Sequence, residues 1–167
     1  MLARILAVLL ASAAVWPAAA QLFGGDDPDE KKPWVELEAK PPAYPKDGNL
    51  LQFDAGAATP HRFFLDTESL SVGPDGVVRY TLVVKTAGGA TNVSYEGIRC
   101  DTRQYKVYAL GRRDGTWMET RDPQWRRIEY REVNRHHGVL YADILCRDRI
   151  PVKNAKDALE AIRSGTQ

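Results

Sequence analysis

Val77-Val-Arg-Tyr-Thr-Leu-Val-Val-Lys85, then Gly88-Gly89, then Thr91-Asn-Val-Ser-Tyr-Glu-Gly-Ile-Arg-Cys100: this stretch decides the fold. It reads as two long strands joined by a tight turn. In the first, Val78, Tyr80, Leu82 and Val84 recur at every second position and share one face. Arg79, Thr81 and Lys85 fall on the other, interrupted by Val77 and Val83, so one clearly buried face is predicted. In the second, Val93 and Tyr95 share a face while Ile98 and Cys100 share the opposite one. Gly97 sits at the change, and a glycine there predicts a β-bulge.

Working outward, the β pattern continues on both sides. Phe63-Phe64-Leu65 reads as a short strand, and Ser69-Leu70-Ser71-Val72 leads into Gly73-Pro74-Asp75-Gly76. Proline followed by Asp-Gly suits a type I turn with a left-handed glycine. Downstream, Tyr105 to Leu110 is a further strand. Asp114-Gly115 makes its turn, and Thr116-Trp117-Met118 begins the partner. The short connections predict antiparallel pairing as a meander.

The period changes near the C-terminus. Asn134 is a candidate N-cap, and Val139, Leu140, Tyr141, Ile144 and Leu145 recur at helical spacing. Cys146 is expected at the end of this helix, on the side of Val139 and Ala142. Asn154 is a candidate cap for a second short helix, Ala155 to Arg163, closed by Gly165. The expected fold is a single α+β domain over about residues 50–165. It has an antiparallel sheet of five or six strands with a C-terminal helix packed on it.

The first twenty residues read as a cleavable secretory signal. Arg4 supplies the charged start, Ile5 to Val15 the apolar stretch, Pro17 the helix break, and Ala18-Ala19-Ala20 the small-residue cleavage site. Cleavage between Ala20 and Gln21 is expected. The apolar run is well short of the roughly 20 residues a membrane span needs. Gln21 is not the cysteine a lipoprotein requires. An exported product without a membrane span is therefore expected, in the periplasm or the medium beyond it.

Of 167 residues, 147 remain after the first twenty, a length that suits one domain with a real core. The whole chain carries 23 basic and 22 acidic side chains. Loss of Arg4 brings these into balance, which speaks against nucleic acid as a partner. The two cysteines, Cys100 and Cys146, lie 46 positions apart. In an exported protein such a pair predicts a disulfide, and the spacing is far too long for a C-x-x-C redox motif. The bridge would staple the helix to the sheet. Residues 21–49 read as an extended arm, because six of the ten prolines lie between residues 21 and 60. Gln21 to Lys32 is expected to be disordered. Trp34, Val35 and Leu37, or Leu50, Leu51 and Phe53, would dock the chain on the core.

Few residues suggest chemistry. His136-His137 with Asp143 is the nearest approach to a metal set, but adjacent histidines on a helix point apart, and zinc needs three or four converging ligands. No G-x-S-x-G nucleophile motif occurs, and Gly88-Gly89 lacks the Lys of a phosphate loop. No catalytic residue, metal or cofactor is expected. Asn92-Val93-Ser94 matches a glycosylation sequon inside a predicted strand. Arg121, Arg126, Arg127, Arg131 and Arg135 form a basic stretch with Trp125 and Tyr130. Were it helical, Arg127, Arg131 and Arg135 would stack at i, i+4, i+8 and could meet an anionic partner. Glu119, Asp122, Glu129 and Glu132 interleave, so a self-paired solvated face is the plainer reading. Trp125, Arg127 and Arg131 are the candidate binding residues.

Phe64 to Val84, Gly89 to Cys100 with its Val93-Ser-Tyr-Glu-Gly-Ile-Arg-Cys100, Tyr108 to Trp117, Trp125, Asn134-Arg-His-His137 and Leu145-Cys146 together resemble the cryptic neisserial protein (CNP-like) family. These are small exported bacterial proteins of unknown function, so the resemblance implies a compartment and no activity. The order of elements is also similar to surface-adhesin protein E, with Asp66, Ser69, Cys100, Trp117 and Cys146 in corresponding places. That resemblance implies an antiparallel sheet with a helix tied on by a disulfide. The expected function is a monomeric, non-enzymatic periplasmic or envelope-associated binding protein with an unidentified envelope or protein partner. A surface adhesin and an enzyme of unrecognised type are the alternatives.

Overall fold

Residues 33–56, 59–129 and 135–165 are described by the computed structural model. The signal segment with its Ala20–Gln21 junction, the stretch Gln21–Lys32, Arg131 and the expected cap Asn134 lie outside them. Among the described residues eight strands form one sheet. They are β1 (Leu50–Phe53), β2 (Arg62–Asp66), β3 (Ser71–Val72), β4 (Val77–Lys85), β5 (Thr91–Arg99), β6 (Gln104–Gly111), β7 (Trp117–Glu119) and β8 (Arg126–Arg127). The main path runs β1-β2-β4-β5-β6-β7, every pair antiparallel. This is the predicted meander. β3 adds to β4 beyond the end of β2, and β8 adds to β6 beyond the end of β7. Each side of the central β4-β5-β6 unit is therefore flanked by one interrupted strand.

The turns follow their residues. The Gly76 amide donates to the Gly73 carbonyl at 2.9 Å, and Gly76 takes a φ of 77°, which only glycine adopts freely. The predicted bulge is displaced. Tyr95 pairs with Ala109 and Glu96 with Val107, so the extra residue is Tyr108 on β6. Gly97 serves that bulge from across the ladder. A Cβ there would lie 2.7 Å from the Tyr108 hydroxyl and 2.9 Å from Val77. The glycine was a true signal of close approach, not of an inserted residue on its own strand.

Three segments cover the face that carries Val78, Tyr80, Leu82 and Ile98. These are α1 (Arg135–Val139), the π-helical stretch Leu140–Leu145, and α2 (Ala155–Gly165). Leu140, Ile144 and Leu145 are buried there, at the i, i+4, i+5 spacing of a wide π turn. Ala158 and Ile162 bring α2 into the same core with Phe53, Phe63 and Leu65. Asn154 Oδ1 accepts from the Asp157 amide at 3.0 Å, the N-cap expected of it.

Cys146 corrects the sequence reading. It is not the last helical residue on the side of Val139 and Ala142. It is extended (φ −130°, ψ 111°) and opens β9 (Cys146–Arg147), which pairs with β10 (Ile150–Pro151). Asp148 and Arg149 between them both take positive φ, 52° and 65°, as a two-residue type I′ hairpin requires. No glycine announces that turn. Cys100 and Cys146 are joined, with sulfurs 1.99 Å and Cα atoms 5.4 Å apart. The bridge therefore fastens the strand that leaves the π-helical stretch to the end of β5.

The second face of the sheet is covered too. Arg79 and Thr81, expected to face solvent, are 6% and 0% exposed. Residues Trp34–Pro45 lie over them in an extended path, in the same compact unit as the sheet. No helix among the described residues is long and apolar enough to cross a membrane.

Candidate functional site

Two polar clusters stand out, one on each face. Under the helices, Glu96 shares a face of β5 with Ile98 and stands opposite Tyr80 on β4. Its Oε2 lies 2.7 Å from His137 Nε2 of α1 and accepts from the Tyr80 hydroxyl at 3.1 Å. Its Oε1 accepts from the Ser94 hydroxyl at 2.6 Å. Glu96 and His137 are 3% and 4% exposed. The Tyr105 ring stacks on His137 at 3.9 Å, and His136 lies between His137 and Phe63, at 4.1 and 5.0 Å.

Burial pushes the Glu96 carboxyl up. The charge of His137 and the hydrogen bonds from His137 and Ser94 outweigh it, and the carboxyl ends below its ordinary value. Burial holds His136 down at about 4, with His137 adding to the effect. Burial and the nearby Glu96 charge push the Tyr80 phenol well up, so it stays protonated and donating. The cluster is a satisfied carboxylate with three donors, sealed under α1. Among the described residues no three His, Cys, Asp or Glu side chains converge as a metal set.

The second cluster fastens Trp34–Pro45 to the sheet. Glu36 accepts from Lys106 Nζ at 2.8 Å, the Tyr108 hydroxyl at 2.8 Å and Trp125 Nε1 at 3.1 Å. Burial raises the Glu36 carboxyl, but these donors bring it below its usual range. Asp75 and Arg79 form an ion pair at 2.6 Å, their side chains 2% and 8% exposed. Asp75 Oδ2 accepts the Leu37 amide at 2.9 Å, and Arg79 donates to the Leu37 carbonyl at 3.0 Å. The Arg99 guanidinium lies 3.5 Å from the Trp34 ring centroid and 5.8 Å from that of Trp125. Contacts of this kind at a surface are worth roughly 0.5–1 kcal/mol each.

The candidate binding residues are only partly brought together. Trp125 is half-buried and belongs to this cluster. Arg127 is exposed on β8, opposite Gln104. It is in a strand, so the conditional helical stack with Arg131 and Arg135 does not form; Arg135 opens α1. β8 pairs with β6 because the register brings Arg126 beside Tyr105, and Ile128 just after it is 2% exposed in the core. Asn92-Val93-Ser94 lies within β5, as expected.

Sequence reasoning missed Glu96, and with it the role of His137. A signal was present. Glu96 is in phase with Ile98 and Cys100, so a carboxylate falls on a face otherwise reserved for the core. Its partner lies 41 positions away, which no local pattern marks.

With this architecture in place, the comparisons decide the family. The CNP1-like family matches residues 29–163. The chain belongs to the CNP1-like family. The match takes in the strap of residues 34–45, the whole sheet, the bridge and most of α2. Among curated proteins the chain is similar to "Cryptic neisserial protein 1" of Neisseria gonorrhoeae, 26% identical over 109 residues, covering 59% of this chain and 54% of that protein. The chain thus spans about half the length of this curated relative. No solved structure matches it.

Proposed function

We propose that this member of the CNP1-like family is a non-enzymatic binding protein of the periplasm, associated with the cell envelope. One observation carries the reading: the titratable side chains most suited to chemistry are sealed, while aromatic and cationic side chains gather where a partner could reach them. Glu96 and His137 are buried and occupied with each other. Trp34 is 39% exposed beside Arg99 and half-buried Trp125, and Trp125 is followed in the chain by exposed Arg126 and Arg127. Trp and Arg in such proximity are residue types over-represented at binding hot spots.

Crosslinking from intact envelope fractions tests this, comparing the wild-type chain with Trp125→Ala and Arg127→Ala. A discrete crosslinked partner that weakens in these variants is expected. Absence of any saturable partner would sink the reading. Cell fractionation with N-terminal sequencing tests the compartment, and a periplasmic chain beginning at Gln21 is expected. A surface adhesin is the second reading, favoured by the exposure of Arg126 and Arg127 next to Trp125. It predicts that binding to a host surface protein, rather than to an envelope component, is lost in Arg127→Ala.

A further inference from the structure

The segment Trp34–Pro45 is bound to the sheet as a peptide ligand is bound to a receptor. Among the described residues no backbone-to-backbone hydrogen bond joins it to the sheet. It lies across a face, where the ladder groups of β4, β5 and β6 are already used by one another. Its main chain is read by side chains instead. The Asp75–Arg79 pair takes the amide and carbonyl of Leu37, and Trp117 Nε1 donates to the Pro42 carbonyl at 2.8 Å. Both contacts are indifferent to the side chains of the residues they hold. An indole N–H on the carbonyl of a proline, with tyrosines lining the floor, is the chemistry by which aromatic grooves take proline-rich extended chains. Prolines 41, 42 and 45 have no N–H to leave unpaired over strands whose ladder carbonyls are already used by one another.

Three side chains set the register, the first being Trp34, whose Nε1 donates to the Asp75 carbonyl at 2.8 Å. Glu36 enters the donor set described above, and Tyr44 packs on Trp117 at 5.3 Å and donates to the Arg112 carbonyl at 3.0 Å. The segment's apolar burial is uneven: Val35 is 73% and Leu37 46% exposed, while Ala39 and Tyr44 pack against small apolar clusters of the face. The receptor side is made of long strands and the occupant of an irregular segment, so the occupant belongs to the low-stability end of the fold.

We infer that this face is a binding groove for an extended, proline-containing polypeptide with an acidic residue about five positions before a Pro-Pro pair, held at rest by the protein's own residues 34–45. This rests on the binding-protein reading and gives its partner a chemistry. The tethered segment competes at high effective concentration, so a partner segment enters only when the resident one loosens.

The test uses the purified chain and a fluorescent synthetic peptide spanning Trp34–Pro45. Two variants loosen the resident segment from opposite ends: Glu36→Gln and Tyr44→Ala. The peptide is expected to bind at least one of them ten-fold or more tightly than it binds wild type. Adding Trp117→Phe to that variant, which keeps the ring and removes the N–H donor, should weaken binding several-fold. A peptide carrying Glu36→Gln should bind more weakly still. No binding to either variant while both retain a wild-type unfolding transition overturns the inference. So does global unfolding of both variants, since the segment would then be an inseparable part of the core. Envelope capture that persists in Trp117→Phe, with no peptide binding, overturns the groove and leaves the binding-protein reading standing. Peptide binding without envelope capture supports the groove and removes the envelope partner.

Discussion

The two faces of the sheet are covered by different physics. On one, α1, the π-helical stretch and α2 bury apolar side chains such as Leu140, Leu145, Ala158 and Ile162 against Tyr80, Leu82 and Ile98. Each buried Leu or Ile among them contributes roughly 1.5–3 kcal/mol. The polar groups caught there, Glu96 and His137 through its Nε2, are paired with each other, and His137 Nδ1 is buried without a partner. On the other face an extended segment is held by Glu36, Asp75, Arg79 and Trp117 through a few specific hydrogen bonds, most of them only partly buried. Such a bond is worth about 0.5–1.5 kcal/mol between neutral groups and about 1.5–3 kcal/mol where a charged group takes part. One face is therefore part of the cooperative core. The other is a surface with something lying on it.

The largest perturbation should come from the sealed pair. Glu96→Ala leaves His137 and Tyr80 buried without their acceptor and should cost about 3–5 kcal/mol, read by urea unfolding. A loss below about 1 kcal/mol would show that the helix face is less sealed than its 3–4% exposures imply. Next comes the bridge. Closing a loop of 46 positions is worth about 4 kcal/mol in chain entropy, so the paired Cys100→Ser, Cys146→Ser variant should lose stability of that order.

Acid should act on the same face. His136 is held near 4 in the fold, against 6.5 when exposed. Its folded value is depressed, so the unfolded chain takes up the proton first. The contribution is fully present above pH 6.5 and is lost as pH falls toward 4, on the order of 3 kcal/mol in all. Glu96 is also depressed, and its contribution goes in the same direction as pH falls further. Thermal melting at pH 7, 5.5 and 4.5 should show a progressive fall, flattened in His136→Phe, which keeps a stacking ring against Phe63.

The strap face should respond less. Trp117→Phe removes one hydrogen bond to Pro42 and should cost about 1 kcal/mol in the same unfolding experiment, with amide exchange rising in residues 34–45 but not in β4 or β5. Equal rises in both would erase the distinction between the faces. Smallest of all is Arg127→Ala. An exposed residue on a two-residue strand should shift stability by less than about 0.5 kcal/mol, leaving its effect to partner binding alone.

How much was legible follows from the range of each signal. Val77–Lys85 and Thr91–Arg99 were readable because alternation and turn glycines act within a few residues. The strap was not. Arg79 and Thr81 form a polar stripe, and a stripe covered by a side-chain-bonded segment has the same pattern as one covered by water. Arg127 was placed on a conditional helix because its neighbours repeat at four. Pairing with Gln104 of β6, a long-range contact, decided otherwise.

The sequence by itself determined the meander, the turns at Gly76, Gly89 and Gly115, the pairing of Cys100 with Cys146 and the cap of α2. All are local, apart from the bridge, which two cysteines can make in only one way. Tertiary structure alone decided the rest. It brought His137 onto Glu96 across 41 positions, laid residues 34–45 on the second face, and turned Cys146 from a helix end into the first residue of a hairpin. Those outcomes depend on which distant surfaces meet once the sheet exists, and no period along the chain carries that information.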